Sequence, residues 1–356
     1  MAGDARLPRR VGLVGLGLMG ASLARGLKAI DPAVHVAAAE ARAEVRERAV
    51  PDGVVDAVHG EPGTWLSDRE LVVLCTPVAA IEELIGPVSR AMPDGAVLTD
   101  VGGAKERVFE VARRDGDRRV SFVGAHPMFG GRGGYEGAKA DRWKGGTVAV
   151  CTDGAPPGAV ARVTALHEGL GARVAPCTAA EHDAAVALVS HLPYLLASAL
   201  SLAAKESGPL ARALAGPGMN DMTRLAGFAF DIQGEVARRN AHVPEAARLL
   251  ERHLSRILAA IADSPGAARE ALEEARAARE ALIGKAPSPA GAAARSAAPS
   301  RFPATSRSPT GRCSSRRWRR GRPGCAACSA PRTSTPRGRR WSGSARGCAR
   351  RATWWW

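Results

Sequence analysis

The sequence predicts an α/β domain built on a doubly wound parallel sheet, followed by an all-helical domain. Three observations carry this. Short apolar runs alternate with helical periodicity through the first half, a glycine turn sits between the first run and the first helix, and strand signals cease after Cys177. Arg10 to Val14 reads as a buried strand and Leu18 to Ile30 as a helix. Val34 to Glu40 follows as a second strand, and Leu71 to Thr76 as a third, stopped by Pro77. Ala79 to Ala91 suits a helix, Ala96 to Asp100 a strand, and a helix starts near Lys105 after Gly102-Gly103. Ser121 to Ala125 leads into His126, Thr147 to Cys151 follows a glycine-rich loop, and Ala172 to Ala175 is the last strand. Thr178 to Ala204 and Val243 to Ile283 carry helical periodicity, punctuated by Pro193, Gly208-Pro209 and Gly216 to Gly218.

The glycine turn has the form of a dinucleotide site, which makes the first domain Rossmann-type. Gly15 permits a tight turn, Gly17 lets the backbone approach a pyrophosphate, and Gly20 allows helix and strand to pack closely. Leu16, Leu18 and Met19 complete the loop, whose helix N-terminus offers N–H groups to phosphates. Glu40 lies twenty residues past Gly20. A carboxylate there accepts from a ribose hydroxyl and repels a 2′-phosphate, favouring NAD over NADP, although Arg42 could receive a phosphate. Thr76, Pro77 and Asp100, at later strand ends, join the expected cofactor group. His126 ends a strand where the reactive ring of the cofactor is expected, so it is the candidate base. Its ordinary pKa lies close to pH 7.

Composition divides the chain. Residues 286–356 hold sixteen Arg, no Lys, Asp or Glu, and no Leu, Ile, Val or Met, so the net charge of +15 belongs to this tail and about −1 remains for residues 1–285. Without aliphatic residues such a segment is expected to be disordered. Its Arg, Ala, Gly, Pro, Ser, Cys and Trp bias is that of a GC-rich gene read out of frame, and we read it as a frameshift product or non-functional extension. Nucleic-acid binding is expected only as nonspecific adhesion of this tail, and Cys325-Ala-Ala-Cys328 lacks a second pair of metal ligands, so no metal is expected. Cys75, Cys151 and Cys177 show no disulfide spacing, no run reaches membrane-spanning length, and no signal peptide is evident. The expectation is a cytoplasmic protein with domains at 1–176 and 177–285.

Taken in order, the motifs resemble those of the prephenate dehydrogenase family, which includes arogenate-using members, over roughly residues 8–285. They are Gly15-x-Gly17-x-x-Gly20, Thr99-Asp100-Val101-Gly102-x-x-Lys105, Gly124-x-His126-Pro127-Met128-x-Gly130, Glu181-His182-Asp183, Val189-Ser190-His191-Leu192-Pro193 and Asp221-x-Thr223-Arg224-Leu225-Ala226. The resemblance implies a homodimer built through the helical domain, and NAD-dependent oxidative decarboxylation of prephenate, a cyclohexadienyl acid, on the path to tyrosine. It implies His126 as the base and Arg224 as a planar fork for a substrate carboxylate. His191 either faces the cleft or is a satisfied interhelical histidine, while His182-Asp183 suit a helix start and Lys105 with Asp100 suit a loop anchor. His35, His59, His167, His242 and His253 read as surface residues.

The chain also departs from the family pattern. Gly103 stands where many members have Ser, Tyr194 where they have a second His, and Arg132 where bacterial relatives are usually acidic. Gly103 and Tyr194 are therefore counted with the substrate-binding residues, and arogenate or 4-amino-4-deoxyprephenate become alternative substrates. A second alternative is a hydroxyacid dehydrogenase of the 6-phosphogluconate or 3-hydroxyisobutyrate type, which uses a lysine in its helical domain; here Lys205 lacks the expected glycine-rich surroundings.

Overall fold

Eight strands form one sheet in the order β3-β2-β1-β4-β5-β6-β7-β8. They are β1 Arg10–Val14, β2 His35–Ala39, β3 Ala57–His59, β4 Leu71–Leu74, β5 Val97–Asp100, β6 Ser121–Pro127, β7 Thr147–Cys151 and β8 Arg173–Cys177. This computed structural model describes residues 7–283. The readings of residues 286–356 as a disordered tail or shifted frame, and of Cys325 and Cys328, lie outside the described residues.

The first six strands in this order are parallel, as the alternation of strand and helix requires. The expectation of a wholly parallel sheet fails at β7, which runs antiparallel to β6 with His126 opposite Ala149; β8 is then parallel to β7. Apolar runs buried on both faces read alike in either direction, so composition carried no sign of the reversal. β3 was not anticipated, because three half-buried residues leave too short a pattern.

Helices cover both faces. Before Cys177 they are α1 Leu18–Ile30, α2 Ala43–Ala49, α3 Val78–Ala91, α4 Glu106–Asp115 and α5 Pro157–Gly169. After it come α6 Ala179–Val186, α7 Leu192–Glu206, α8 Pro209–Ala213, α9 Pro217–Thr223, α10 Glu235–Arg239, α11 Val243–Asp263 and α12 Pro265–Ile283. The main core lies on both sides of the sheet, with Leu13, Leu27, Val36, Val73 and Val123 sealed on one side and Leu74, Ile81, Ile85 and Leu98 on the other. Among the described residues the contacts divide into two units after Glu274, the second contributing only the end of α12.

The expected helix from Thr178 to Ala204 is interrupted. Residues Ala187–His191 form a π turn between α6 and α7. Pro193 follows two residues later and has no N–H to continue the ladder, so the widened turn absorbs the lost bond. Likewise the expected helix over 243–283 breaks at Ser264, ahead of Pro265.

Taken together, Ala179–Glu206 is 28 residues long and apolar enough to cross a membrane, which corrects the sequence expectation. Its first half, however, is tied to the sheet through His182 and Asp183, and its second half exposes Leu195, Leu196, Leu200 and Leu202. Leu210, Leu214, Leu254, Leu258 and Ile261 extend this exposed apolar surface.

Candidate functional site

The strand order reverses between β1 and β4, and open α/β sheets bind ligands outside the carboxyl ends of strands at such a point. Gly15 follows β1 with φ +98°, a left-handed conformation that suits glycine, and a Cβ there would lie 3.1 Å from the Cys75 carbonyl oxygen. A Cβ on Gly20 would lie 1.9 Å from the Gly15 oxygen, so only glycine lets α1 start this close to the turn. At Gly17 a Cβ would meet nothing within 4 Å, which leaves the face of the loop open. The first turn of α1 carries no acidic residue, so its positive end is not neutralised. Leu16 is buried, while Leu18 and Met19 are half-buried at the loop. Thr76 and Pro77 follow β4, and the Thr76 hydroxyl is buried without a partner among the described residues. These features suit a dinucleotide.

Glu40 lies at the end of β2, as its spacing required, but is almost fully buried. Its Oε2 accepts from Leu16 N at 2.8 Å and Arg42 Nη2 at 3.1 Å, and its Oε1 from Arg42 N at 3.0 Å and Nε at 2.9 Å. Burial alone would raise the Glu40 pKa, but the hydrogen bonds from Arg42 and Leu16 outweigh it and hold the carboxyl low. All four acceptor positions are taken. A ribose hydroxyl therefore reaches this carboxylate only if Arg42 swings away.

Asp100 is not at the cofactor surface. It is fully buried, its Oδ2 accepting from Gly102 N at 2.9 Å and pairing with the Lys105 ammonium, its Oδ1 accepting from Ala125 N at 3.2 Å. The carboxylate thus ties the loop after β5 to the residue preceding His126. Asp100 orders the site from beneath.

His126 is half-buried near the end of β6. Its Nδ1 lies 2.8 Å from His182 Nε2, and His182 Nδ1 lies 2.7 Å from Asp183 Oδ1. The sequence reading of His182-Asp183 as a helix-start pair is corrected here. Thr178 is the cap of α6, in a reciprocal capping box with Glu181, and Asp183 instead accepts from Lys105 N at 2.8 Å and Glu106 N at 2.9 Å at the start of α4. Burial would raise the Asp183 pKa, but the bonds from His182, Glu106 and Lys105 prevail and keep it ionised.

This chain of contacts settles the tautomers by elimination. Ionised Asp183 only accepts, so His182 directs an Nδ1 proton at it, and in its uncharged form presents a bare Nε2. His126 must then donate from Nδ1, which leaves its Nε2 with a free lone pair. A Cβ on Gly103 would lie 3.5 Å from that nitrogen, so the acceptor faces the Gly103 loop. Burial first, then His182, Lys105 and His191, push the His126 pKa well below its ordinary value. The imidazole is therefore neutral at pH 7, and a weaker base than the unperturbed ring the sequence suggested.

His191, at the end of the π turn, is 1% exposed. Its Nδ1 lies 3.1 Å from Asn240 Nδ2, and its Nε2 has no hydrogen-bond partner among the described residues. Asn240 was missed by sequence reasoning, since a single Asn after α10 carries no pattern beyond a helix end. Tyr194, on the first turn of α7, is half-buried. Arg224 is exposed in the 3₁₀ turn Arg224–Gly227, with no ion-pair partner among the described residues, and the Arg132 guanidinium lies 5.2 Å above the Phe228 ring beside it. His167 was read as a surface residue but is fully buried, accepting from Trp143 Nε1 at 2.9 Å; His35 touches Arg69, His59 stacks on Trp65 and His242 meets Glu106. Cys151 and Cys177, far apart in sequence, are free thiols 3.8 Å apart on β7 and β8.

Fold and site define a dinucleotide-binding protein with a helical second region and a buried His-His-Asp chain at its strand ends. Residues 23–176 match the family model of the prephenate dehydrogenase nucleotide-binding domain, and residues 178–274 that of the prephenate dehydrogenase dimerization domain. The chain belongs to the prephenate dehydrogenase family, a family of oxidoreductases. It is 29% identical to the prephenate dehydrogenase of Lactococcus lactis over 225 residues, 61% of each chain, and so spans about three fifths of that relative. It is 28% identical to the cyclohexadienyl dehydrogenase of Zymomonas mobilis over 240 residues, 65% of this chain and 81% of the other. The arogenate dehydrogenase of Synechocystis superposes with a TM-score of 0.68 and 26% identity, covering 77% of this chain and all of the other.

Proposed function

We propose that the chain catalyses NAD-dependent oxidative decarboxylation of prephenate to 4-hydroxyphenylpyruvate. The observation that carries this is the proton arrangement at the strand ends. Asp183 and His182 leave His126 Nε2 as a bare acceptor facing the Gly103 loop, on the edge of the sheet where the glycine turn opens. Bound at that turn, NAD would accept hydride from the ring carbon bearing the hydroxyl. His126 Nε2 takes the hydroxyl proton as the hydride departs. The bond from ring to carboxylate then breaks, its electrons completing the aromatic ring as carbon dioxide leaves, and His126 returns its proton to the phenolic oxygen. Aromatisation drives the step, so a weak base suffices. Arg224, exposed and without an ion-pair partner among the described residues, is suited to hold a substrate carboxylate.

The division at 176/177, the cytoplasmic setting and a homodimer closing over the exposed apolar faces of α7 and α11 belong to the same reading. Turnover of prephenate, arogenate and 4-amino-4-deoxyprephenate by the full chain, with NAD and NADP, tests it. His126→Asn should bind NAD normally and lose kcat by roughly 10²–10⁴. A near-normal kcat would remove His126 from the mechanism.

A further inference from the structure

His126 has a counterpart. Asn240 is buried immediately after α10, and its Oδ1 accepts from the backbone N–H of His242 at 2.8 Å. That fixes which end of the amide is which: Nδ2 faces the Asp183 carbonyl oxygen at 2.6 Å and His191 Nδ1 at 3.1 Å. An amide nitrogen only donates, so His191 Nδ1 must accept, and the proton of this imidazole resides on Nε2. Burial pushes the His191 pKa down to about 4, so the ring is neutral at physiological pH.

The resulting Nε2–H is a buried donor. It has no hydrogen-bond partner among the described residues, and the Gly103 backbone lies beside the ring. Buried donors are rarely left unpaired without a reason. Gly103 is thus the common neighbour of two imidazoles of opposite character, the acceptor Nε2 of His126 and the donor Nε2–H of His191. Gly103 also has no side chain to occupy the position 3.5 Å from His126.

We propose that His191, held in its Nε2–H form by Asn240, is a specificity-determining residue that selects substrates bearing a ring alcohol over those bearing a ring ammonium. The proposal rests on the dehydrogenase reading above. An alcohol donates its proton to His126 and accepts from His191 with the same oxygen. A ring ammonium can satisfy His126 but has no lone pair, so its N–H groups oppose the His191 N–H and a buried donor stays unpaired. Asn240 touches no substrate and acts through His191 as a positioning residue.

The test compares kcat/KM for prephenate and for 4-amino-4-deoxyprephenate in the full chain and three variants. Wild type should favour the alcohol by roughly five- to a hundredfold through this contact. His191→Gln, whose amide can donate from about the same place, should keep most of the ratio, and His191→Leu should lose it. Asn240→Asp replaces the donor by an acceptor, turns the His191 proton onto Nδ1 and should shift the ratio toward the amine. An unchanged ratio in His191→Leu overturns the proposal. Nitrogen NMR of histidine-labelled protein, with His191→Gln to assign the signal, reads the tautomer without any turnover. A proton on Nδ1 in the wild-type protein overturns the proposal whatever the kinetics. An Nε2 proton with no turnover of any cyclohexadienyl acid overturns the activity reading, and the selection with it.

Discussion

Asp183→Asn tests the site most directly, because one atom changes and the outcome follows from counting protons. The carboxylate accepts two backbone N–H groups at the start of α4 and one from His182. Lys105 N and His182 Nδ1 share Oδ1 while Glu106 N meets Oδ2, so an asparagine whose NH₂ stands at Oδ1 gives up the Lys105 bond and turns a donor toward His182 Nδ1, which must then accept. His182 carries its proton on Nε2, His126 Nδ1 becomes the acceptor, and the His126 proton moves to Nε2. The base then has no lone pair toward the substrate. The loss is bounded by the contribution of a positioned base, so kcat should fall roughly 10²–10⁴ with little change in the Kd for NAD. Loss of a charge-assisted bond costs about 1.5–3 kcal/mol in stability, enough to lower the denaturant midpoint without unfolding the chain. Stopped-flow absorbance of NADH formation and fluorescence titration of the cofactor separate the two effects. A folded Asp183→Asn protein whose His182 proton sits on Nε2 by nitrogen NMR, yet whose kcat lies within about threefold of wild type, would refute the tautomer argument, since a flipped base cannot retain its contribution.

Three further outcomes follow from the same geometry. Burial holds His167 and His191 at about 4 against about 6.5 in the unfolded chain, so the unfolded state takes protons first as pH falls; stability should be complete above pH 6.5 and decline down to pH 4, by about 3 kcal/mol for each histidine, in urea melts across that range. A pH-independent midpoint would show that these rings are solvated. Arg42→Ala frees half of the acceptor capacity of Glu40 and should raise the NAD over NADP preference in kcat/KM; a lowered preference would mean that Glu40 does not meet the ribose. Arg224→Ala should act mainly on KM, and an unchanged KM would place the carboxylate clamp elsewhere.

The glycine turn, the acid twenty residues beyond it and the histidine at a strand end were legible because each is a local pattern. Backbone sterics at Gly15 and Gly20 and the periodicity of buried runs act over a few residues, and a sequence states them outright. The capping box Thr178-x-x-Glu181 was equally local but was passed over in favour of His182-Asp183; it accounts for the start of α6 and leaves that pair available for another task. What that task is depends on contacts across 56 residues to His126, 78 to Lys105 and, through Asn240, 57 to Asp183. The same holds for the reversal of β7, the pairing of the Arg42 side chain with half of the acceptor positions of Glu40, and the meeting of Cys151 and Cys177. Sequence determined which residues are candidates to carry protons and phosphates. Only the packing of the helices against the sheet decided on which nitrogen each proton sits, because a tautomer is chosen by the partner on the far side of the ring.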